Sequence, residues 1–264
     1  ETQAQGPVGR LPWPGQLRLQ AFVHLANGAN MVEYWHWHSI HNAIESHWKG
    51  VLSHDFTPGA VYQEAKTIGG DLARIGSRLV NLKRTSEVAV LVSNRSLTGL
   101  KWSDSFAGPG YGDILRWVYD SFFRMNVSVD IVDDRVRDFS RYKLVVTPGL
   151  YCAEDSLIRA LREYVQNGGH LLSTFRSFFC DENVKIRTSR QPGGLSGVFG
   201  MTYDNFTVPV DVPGAREWME LLRPDEETEM LLAYDHPVYA GYAAATCHSY
   251  GSGSAAYIGA MLEE

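Results

Sequence analysis

The sequence predicts an α/β protein in two parts: the C-terminal segment of a (β/α)8 barrel over residues 1–84, then a doubly wound α/β domain over residues 85–264. Three observations predict this. Residues 1–82 run loop, helix, strand, loop, helix, the order in which a β/α barrel ends. From residue 87 onward, near-continuously apolar strands alternate with amphipathic helices, as in a parallel sheet covered on both faces. Between them the texture changes at the polar seam "KRTS", residues 83–86.

In the first part, "QLRLQAFVHLANGA" (16–29) places Leu17, Phe22, Leu25 and Ala26 near helical period, with Ala21 and Ala29 beside them and Gly28 at a helix end. "MVEYWHWH" (31–38) alternates and is aromatic-rich, which predicts a strand. "AVYQEAKTIGGDLARIGSRLVNL" (60–82) predicts a second amphipathic helix, weakened by Gly69 and Gly70. A closed barrel takes eight β/α units in about 250 residues, and about two are present. The opening "ETQAQGPVG", with neither an initiator Met nor a signal peptide, reads as the interior of a longer chain.

In the second part, "EVAVLVSN" (87–94) is a buried strand, "YGDILRWVYDSFFRMN" (111–126) a helix, and "VSVDIV" (127–132) and "KLVVTPG" (143–149) two further strands. "EDSLIRALREYVQNGG" (154–169) begins with acids and ends on Gly-Gly, which the helix dipole and C-cap geometry favour. "HLLSTF" (170–175) is another strand. The tail "HPVYAGYAAATCHSYGSGSAAYIGAML" (236–262) reads as short strands around a Gly/Ser turn.

Composition narrows the function. The chain is 44% hydrophobic and 20% charged, with net charge −6, so it lacks the basic footprint of a nucleic-acid or anionic-membrane binder. No apolar run approaches the roughly 20 residues that cross a bilayer. Cys152, Cys180 and Cys247 are odd in number, widely spaced and free of CxxC, which favours free thiols in a reducing compartment.

The chemistry concentrates in "WHWHSIHNAIESHWKGVLSHD" (35–55), with three tryptophans, five histidines and Glu45 in its middle. A metal site needs ligands converging on one face, and no HExxH or comparable spacing is present. Histidines in clefts more often serve hydrogen bonding. Sugar rings stack their C–H faces on indole, and a carboxylate accepts from two hydroxyls. The segment therefore reads best as a carbohydrate pocket, with scattered core aromatics as the competing reading.

The run from "ETQ" through "PGQLRLQAFVHLANGANMVEYWHWHSIHNAIESHWKGVLSHD" resembles the last quarter of the barrel in glycoside hydrolase family 42, the β-galactosidases, most closely the bifidobacterial forms. Residues 87–264, with "EVAVLVSN", "KLVVTPG", "NGGHLLSTF" and "GSGSAAYIGAML", resemble the family's second domain, which has a flavodoxin-like or amidotransferase-like fold and mediates trimer formation. The resemblance implies that Glu1 is the nucleophile of a retaining galactosidase, that Trp35 walls the sugar subsite and that Glu45 accepts from galactose hydroxyls. Many members carry a His three residues beyond that Glu; Trp48 stands there and offers stacking surface instead. The loop "TQAQGPVGRLPWPG" is shorter than in some relatives, with Trp13 as the candidate for their pocket aromatic. His36, His41 and His47 neighbour these positions. The acid/base partner of the family lies far upstream, outside these residues, and Glu33 does not replace it. No organic cofactor or metal is implied, and the cysteine cluster that holds zinc in some members has no counterpart. The implied partners are a β-galactoside and two further copies of the chain, in the cytoplasm. The rival expectation is a non-catalytic oligomerisation module. An amidotransferase pair of Cys152 and His248 is disfavoured, because "LYCAED" is not a nucleophile elbow; Cys152 reads as a small buried hydrophobe. "RQPGGLSG" (190–197) lacks phosphate-loop spacing and is a loop.

Overall fold

The computed structural model describes residues 10–83, 85–102 and 108–263, together with the backbone of Thr2 and Gln3. The chain divides into two compact units, Glu1–Thr85 and Ser86–Glu264. No helix among the described residues is long and apolar enough to cross a membrane.

The first unit contains β1 (Thr2–Gln3), α1 (Gln16–Ala26), β2 (Tyr34–Trp35) and α2 (Ala60–Ile75). The two strands are parallel, with Thr2 opposite Tyr34 and Gln3 opposite Trp35, so the unit holds two successive β/α pairs. Leu17, Ala21 and Leu25 are buried at four-residue spacing, one stripe of α1. Leu17 and Ala21 pack on Ile68 of α2, with Val32, Tyr34, Val61 and Leu72 around them. Arg18 Nε and Arg74 Nη2 both donate to Asp71, at 2.7 and 2.8 Å, and hold its carboxyl below the usual carboxylate range. Past α1, Gly28 takes φ +97° while Ala29 N donates back to His24 O at 3.0 Å. That is the left-handed helix exit that Gly permits.

Two elements are shorter than their sequence pattern. The helix expected over 60–82 stops at Ile75, followed by a 3-10 turn at Gly76–Arg78. Asn81 N donates to Asn30 Oδ1 (2.7 Å), and Asn30 Nδ2 returns a bond to Asn81 Oδ1 (3.0 Å). The backbone at 81 is thus tied to the α1–β2 connection and cannot continue the helical ladder. The strand expected over 31–38 is confined to Tyr34–Trp35, because residues 36–39 exchange hydrogen bonds with their own downstream chain.

The second unit contains β3 (Val88–Val92), α3 (Asn94–Trp102), α4 (Tyr111–Arg124), β4 (Val129–Asp133), β5 (Leu144–Thr147), α5 (Asp155–Gln166), β6 (His170–Thr174), α6 (Ser196–Phe199), β7 (Met201–Thr207), β8 (Ala215–Pro224), β9 (Glu229–Ala233), β10 (Ala243–Tyr250), β11 (Gly253–Ile258) and β12 (Ala260–Leu262). They build one sheet, in the order β12-β8-β10-β11-β6-β5-β3-β4, with β7 added to β8 and β9 to β10. Strands β4-β3-β5-β6-β11 are mutually parallel. In order of appearance their positions read 2-1-3-4-5, the flavodoxin-like arrangement. Alternation along β3 sends its side chains to opposite layers. Ala89 and Leu91 join Leu157, Leu161 and Val165 of α5, whereas Val88 and Val90 join Val118 and Phe122 of α4. Helices therefore cover both faces, as expected of a doubly wound sheet. Beyond β11 the pairing turns antiparallel. Strands β7, β8 and β9 and helices α3 and α6 have no counterpart in the sequence reading; the loop expected over 190–197 gives way to α6 at Ser196.

Candidate active site

The segment that leaves β2 folds back along itself. The Trp35–His36 peptide is cis. Val51 N donates to His36 O (2.8 Å), Leu52 N to Trp37 O (2.9 Å), Ser39 N to Leu52 O (2.9 Å) and Ile40 N to Trp48 O (3.1 Å). The buried Ser39 hydroxyl accepts from Gly50 N and donates to Leu52 O, both at 3.1 Å. A Cβ on Gly50 would stand 2.4 Å from the His38 carbonyl carbon and 2.6 Å from His36 O. Only a residue without a side chain fits this crossing. Between the crossing strands lies a 3-10 turn, Ala43–Glu45, and Trp48 N donates to Glu45 O at 2.8 Å. Glu45 and Trp48 thus occupy the two ends of one tight turn.

The histidines of this segment hold the loop. His41 stacks on Phe56 (4.9 Å, 20°) and His38 meets the same ring edge-on at 5.0 Å. The Nε2 of His41 bonds His54 O at 2.5 Å, His54 Nε2 bonds Ser46 O at 2.7 Å, and His38 Nδ1 bonds Ser39 O at 2.7 Å. Each of these three rings spends a nitrogen on a backbone carbonyl. Among the described residues no group of three His, Cys, Asp or Glu side chains is arranged to hold a metal ion. At the segment's end, hydroxyls of Ser53 and Thr57 and the Thr57 N–H converge on Asp55 and bring its carboxyl down to about 2.

His36 differs from its neighbours. Its Nε2 is buried without a hydrogen-bond partner. Burial lowers its basicity, His38 lowers it further, and the negative charge of Glu45 acts in the opposite direction. Its ring also lies 5.3 Å from that of Trp35. Trp35, His36 and Glu45 therefore form one neighbourhood, with Trp35 43% exposed and Trp37 65% exposed, Glu45 exposed and Trp48 half-buried. Indole surface open to solvent near an exposed carboxylate is equipped to hold a polyhydroxylated ring. Trp13 stands elsewhere, at the start of α1, where its N–H bonds Gln16 Oε1 at 2.9 Å. No contact among the described residues joins it to Trp35 or Glu45. Glu1 lies outside the described residues. The two residues after it form β1, beside Tyr34 and Trp35.

In the second unit, Cys152 is fully buried and stands opposite Cys180 in a parallel bridge. His248 Nδ1 instead meets the Thr228 hydroxyl at 3.0 Å. Neither side chain has the partner that an amidotransferase centre requires. A carboxylate that sequence reasoning passed over, Glu220 on β8, is 1% exposed. It accepts from Arg176 N (2.8 Å) and Trp218 Nε1 (3.4 Å) on one oxygen and from Tyr257 Oη (2.9 Å) on the other.

Comparison with known proteins agrees with this architecture. Residues 86–264 match the family model described as the β-galactosidase trimerisation domain, and residues 2–75 match that described as β-galactosidase. Among curated relatives, β-galactosidase LacZ of Lactobacillus acidophilus is 28% identical over 97% of this chain and 40% of its own. β-Galactosidase GanA of Bacillus subtilis is 26% identical over the same shares of each. The chain thus spans about 40% of the length of the curated relatives it matches. Of solved structures, Gan42B, a GH42 β-galactosidase, superposes with TM-score 0.88 at 27% identity, covering 96% of this chain and 39% of that one. The β-galactosidase of Halorubrum lacusprofundi gives 0.83 at 27% identity, with 98% and 40% covered. A doubly wound unit matched from end to end, preceded by two β/α pairs of a (β/α)8 barrel, makes the chain a member of the family 42 glycoside hydrolases, the β-galactosidases.

Proposed function

We propose that this chain is the nucleophile-bearing part of a retaining β-galactosidase acting on terminal β-D-galactosyl residues, joined to the domain through which three copies assemble. Glu1 attacks the anomeric carbon and carries the galactosyl ester. Water then resolves the ester in hydrolysis, or an acceptor sugar in transglycosylation. Trp35 stacks on the apolar face of the sugar, Glu45 accepts from its hydroxyls, and Trp48 supplies further aromatic wall. The acid/base carboxyl, about 5–5.5 Å from the nucleophile in retaining enzymes, lies outside these 264 residues. The enzyme works in the cytoplasm and is grouped with the bifidobacterial forms on the strength of the run at residues 1–58.

The parallel register of Gln3 with Trp35 supports this reading above all: the strand that Glu1 immediately precedes runs beside the strand carrying the sugar wall. The test is to treat the full-length enzyme with a 2-deoxy-2-fluorogalactoside bearing a good leaving group and to map the ester. Labelling of Glu1, abolished in Glu1→Gln, is expected; a label on another carboxyl overturns the assignment. The 264-residue chain alone is expected to leave a nitrophenyl β-galactoside intact, and turnover by it would show that the missing acid/base is not required.

A further inference from the structure

The segments that leave β5 and β6 run side by side beyond the carboxyl ends of their strands. Cys180 N donates to Tyr151 O at 2.9 Å and Ala153 N donates to Cys180 O at 3.1 Å, which sets Cys152 directly opposite Cys180 in a parallel bridge. Adjacent strands lie about 5 Å apart, inside the about 4.4–6.8 Å Cα separation that a disulfide spans. Both thiols are free and fully buried. The neighbouring thiol and the Tyr151 side chain lower the pKa of Cys180 against the opposing effect of burial, while Cys180 and burial raise that of Cys152. Cys180 is thus the more acidic thiol of the pair. Galactoside chemistry uses neither sulfur.

We propose that Cys152 and Cys180 form a reversible dithiol–disulfide pair, oxidised by hydroperoxides, that ties the segment after β5 to the segment after β6. The Cys180 thiolate attacks a peroxide oxygen and breaks the O–O bond. This gives a sulfenic acid and, for hydrogen peroxide, hydroxide that takes up the proton lost by the thiol. The Cys152 sulfur then attacks the sulfenyl sulfur, forming the S–S bond and expelling the oxygen, which leaves as water with the Cys152 proton. Two thiols and one hydrogen peroxide become one disulfide and two waters. Access is restricted. The rings of Tyr151 and Phe179 stack at 5.7 Å, and a Cβ on Gly99 of α3 would come within 2.8 Å of Cys152 Sγ. The oxidant is therefore required to be small, as hydrogen peroxide is and oxidised glutathione is not.

The test exposes the reduced full chain to graded hydrogen peroxide, denatures it in iodoacetamide and maps peptides without reductant. The expected product is one cross-linked peptide pair joining Cys152 to Cys180, two hydrogens lighter than its components, reversed by dithiothreitol, with Cys247 alkylated. Cys247→Ser is expected to give the same cross-link. Cys152→Ser is expected to leave Cys180 as a sulfenic acid that dimedone traps. Cys152 and Cys180 both alkylated when Cys247 has been oxidised, a cross-link to Cys247, or separate sulfinic acids in the unsubstituted chain would each overturn the proposal. The map of the unsubstituted chain decides the matter even where a serine variant fails to fold.

Discussion

Replacing Glu220 with Gln should make the second unit more stable, and only above a definable pH. Burial of this side chain, opposed by hydrogen bonds from Arg176 N–H, Tyr257 O–H and Trp218 N–H, pushes its carboxyl from 4.5 up to about 7. The Arg176 guanidinium lies 3.9 Å over the Trp218 ring, and its Nη1 donates to Pro109 O at 3.1 Å. Between about pH 4.5 and 7 the native state keeps a proton that the unfolded chain releases, so stability falls as pH rises through this window and levels off above it. At about 1.36 kcal/mol per pH unit, the interval from 4.5 to about 7 corresponds to roughly 3 kcal/mol. Gln keeps an acceptor for Arg176 N–H and offers Tyr257 a donor, without a charge to desolvate. Urea unfolding of both full-length proteins across this range, with hydrogen exchange of the β8 amides assigning the transition, should show the variant gaining roughly 3 kcal/mol relative to the parent from about pH 4.5 to pH 8. A difference that stays constant with pH would refute the buried-carboxyl reasoning.

Gly50→Ala should break the crossing of residues 36–40 with 48–52, costing about 1–3 kcal/mol locally through backbone collision; faster exchange of the Val51 and Leu52 amides would report it. Asp55 should titrate near 2 by NMR. Its contribution to loop stability is present above about 3.8 and lost as pH falls toward about 2, and Asp55→Asn should abolish that dependence. On the proposed function, Glu45→Gln in the full-length enzyme should raise KM for a nitrophenyl β-galactoside about tenfold or more, the loss of a charged hydrogen bond of about 1.5–3 kcal/mol. Trp35→Ala should raise it as well, and an unchanged KM for both would remove them from the sugar subsite.

The elements legible in the sequence were those whose pattern is self-sufficient. The β-branched run of β3 and the one-sided apolar stripe of α5 announce themselves because each buries a continuous surface. Helix α3, "NRSLTGLKW", carries Asn, Ser and Gly that favour turns locally, and it forms on the packing of Leu100 with Tyr111 and Tyr151. β8 escaped notice because Arg216, Glu217, Glu220 and Arg223 make it read as a solvated segment. Glu220 is held inside by donors that the local sequence does not reveal, the Arg176 N–H and the Tyr257 hydroxyl, both far along the chain. The strand drawn over 31–38 ran too long because alternation cannot show which neighbour an extended segment bonds to; residues 48–52 decided that. At the candidate site, Trp35 and Glu45 were singled out by the family resemblance of the surrounding run. The unpartnered nitrogen of His36 and the ring of Phe56 beneath His38 and His41 required coordinates, since each depends on residues brought together by the fold-back.

Strand β11 bonds in parallel to β6 on one side and antiparallel to β10 on the other. It is thus the splice between two halves of a sheet with different hydrogen-bond geometry. Until residues 253–258 are in place, β6 therefore presents an open edge, and the parallel strands complete their hydrogen bonding only with the penultimate strand of the chain. A truncation before Gly253 is consequently expected to expose that edge and to make the parallel half prone to strand-to-strand association.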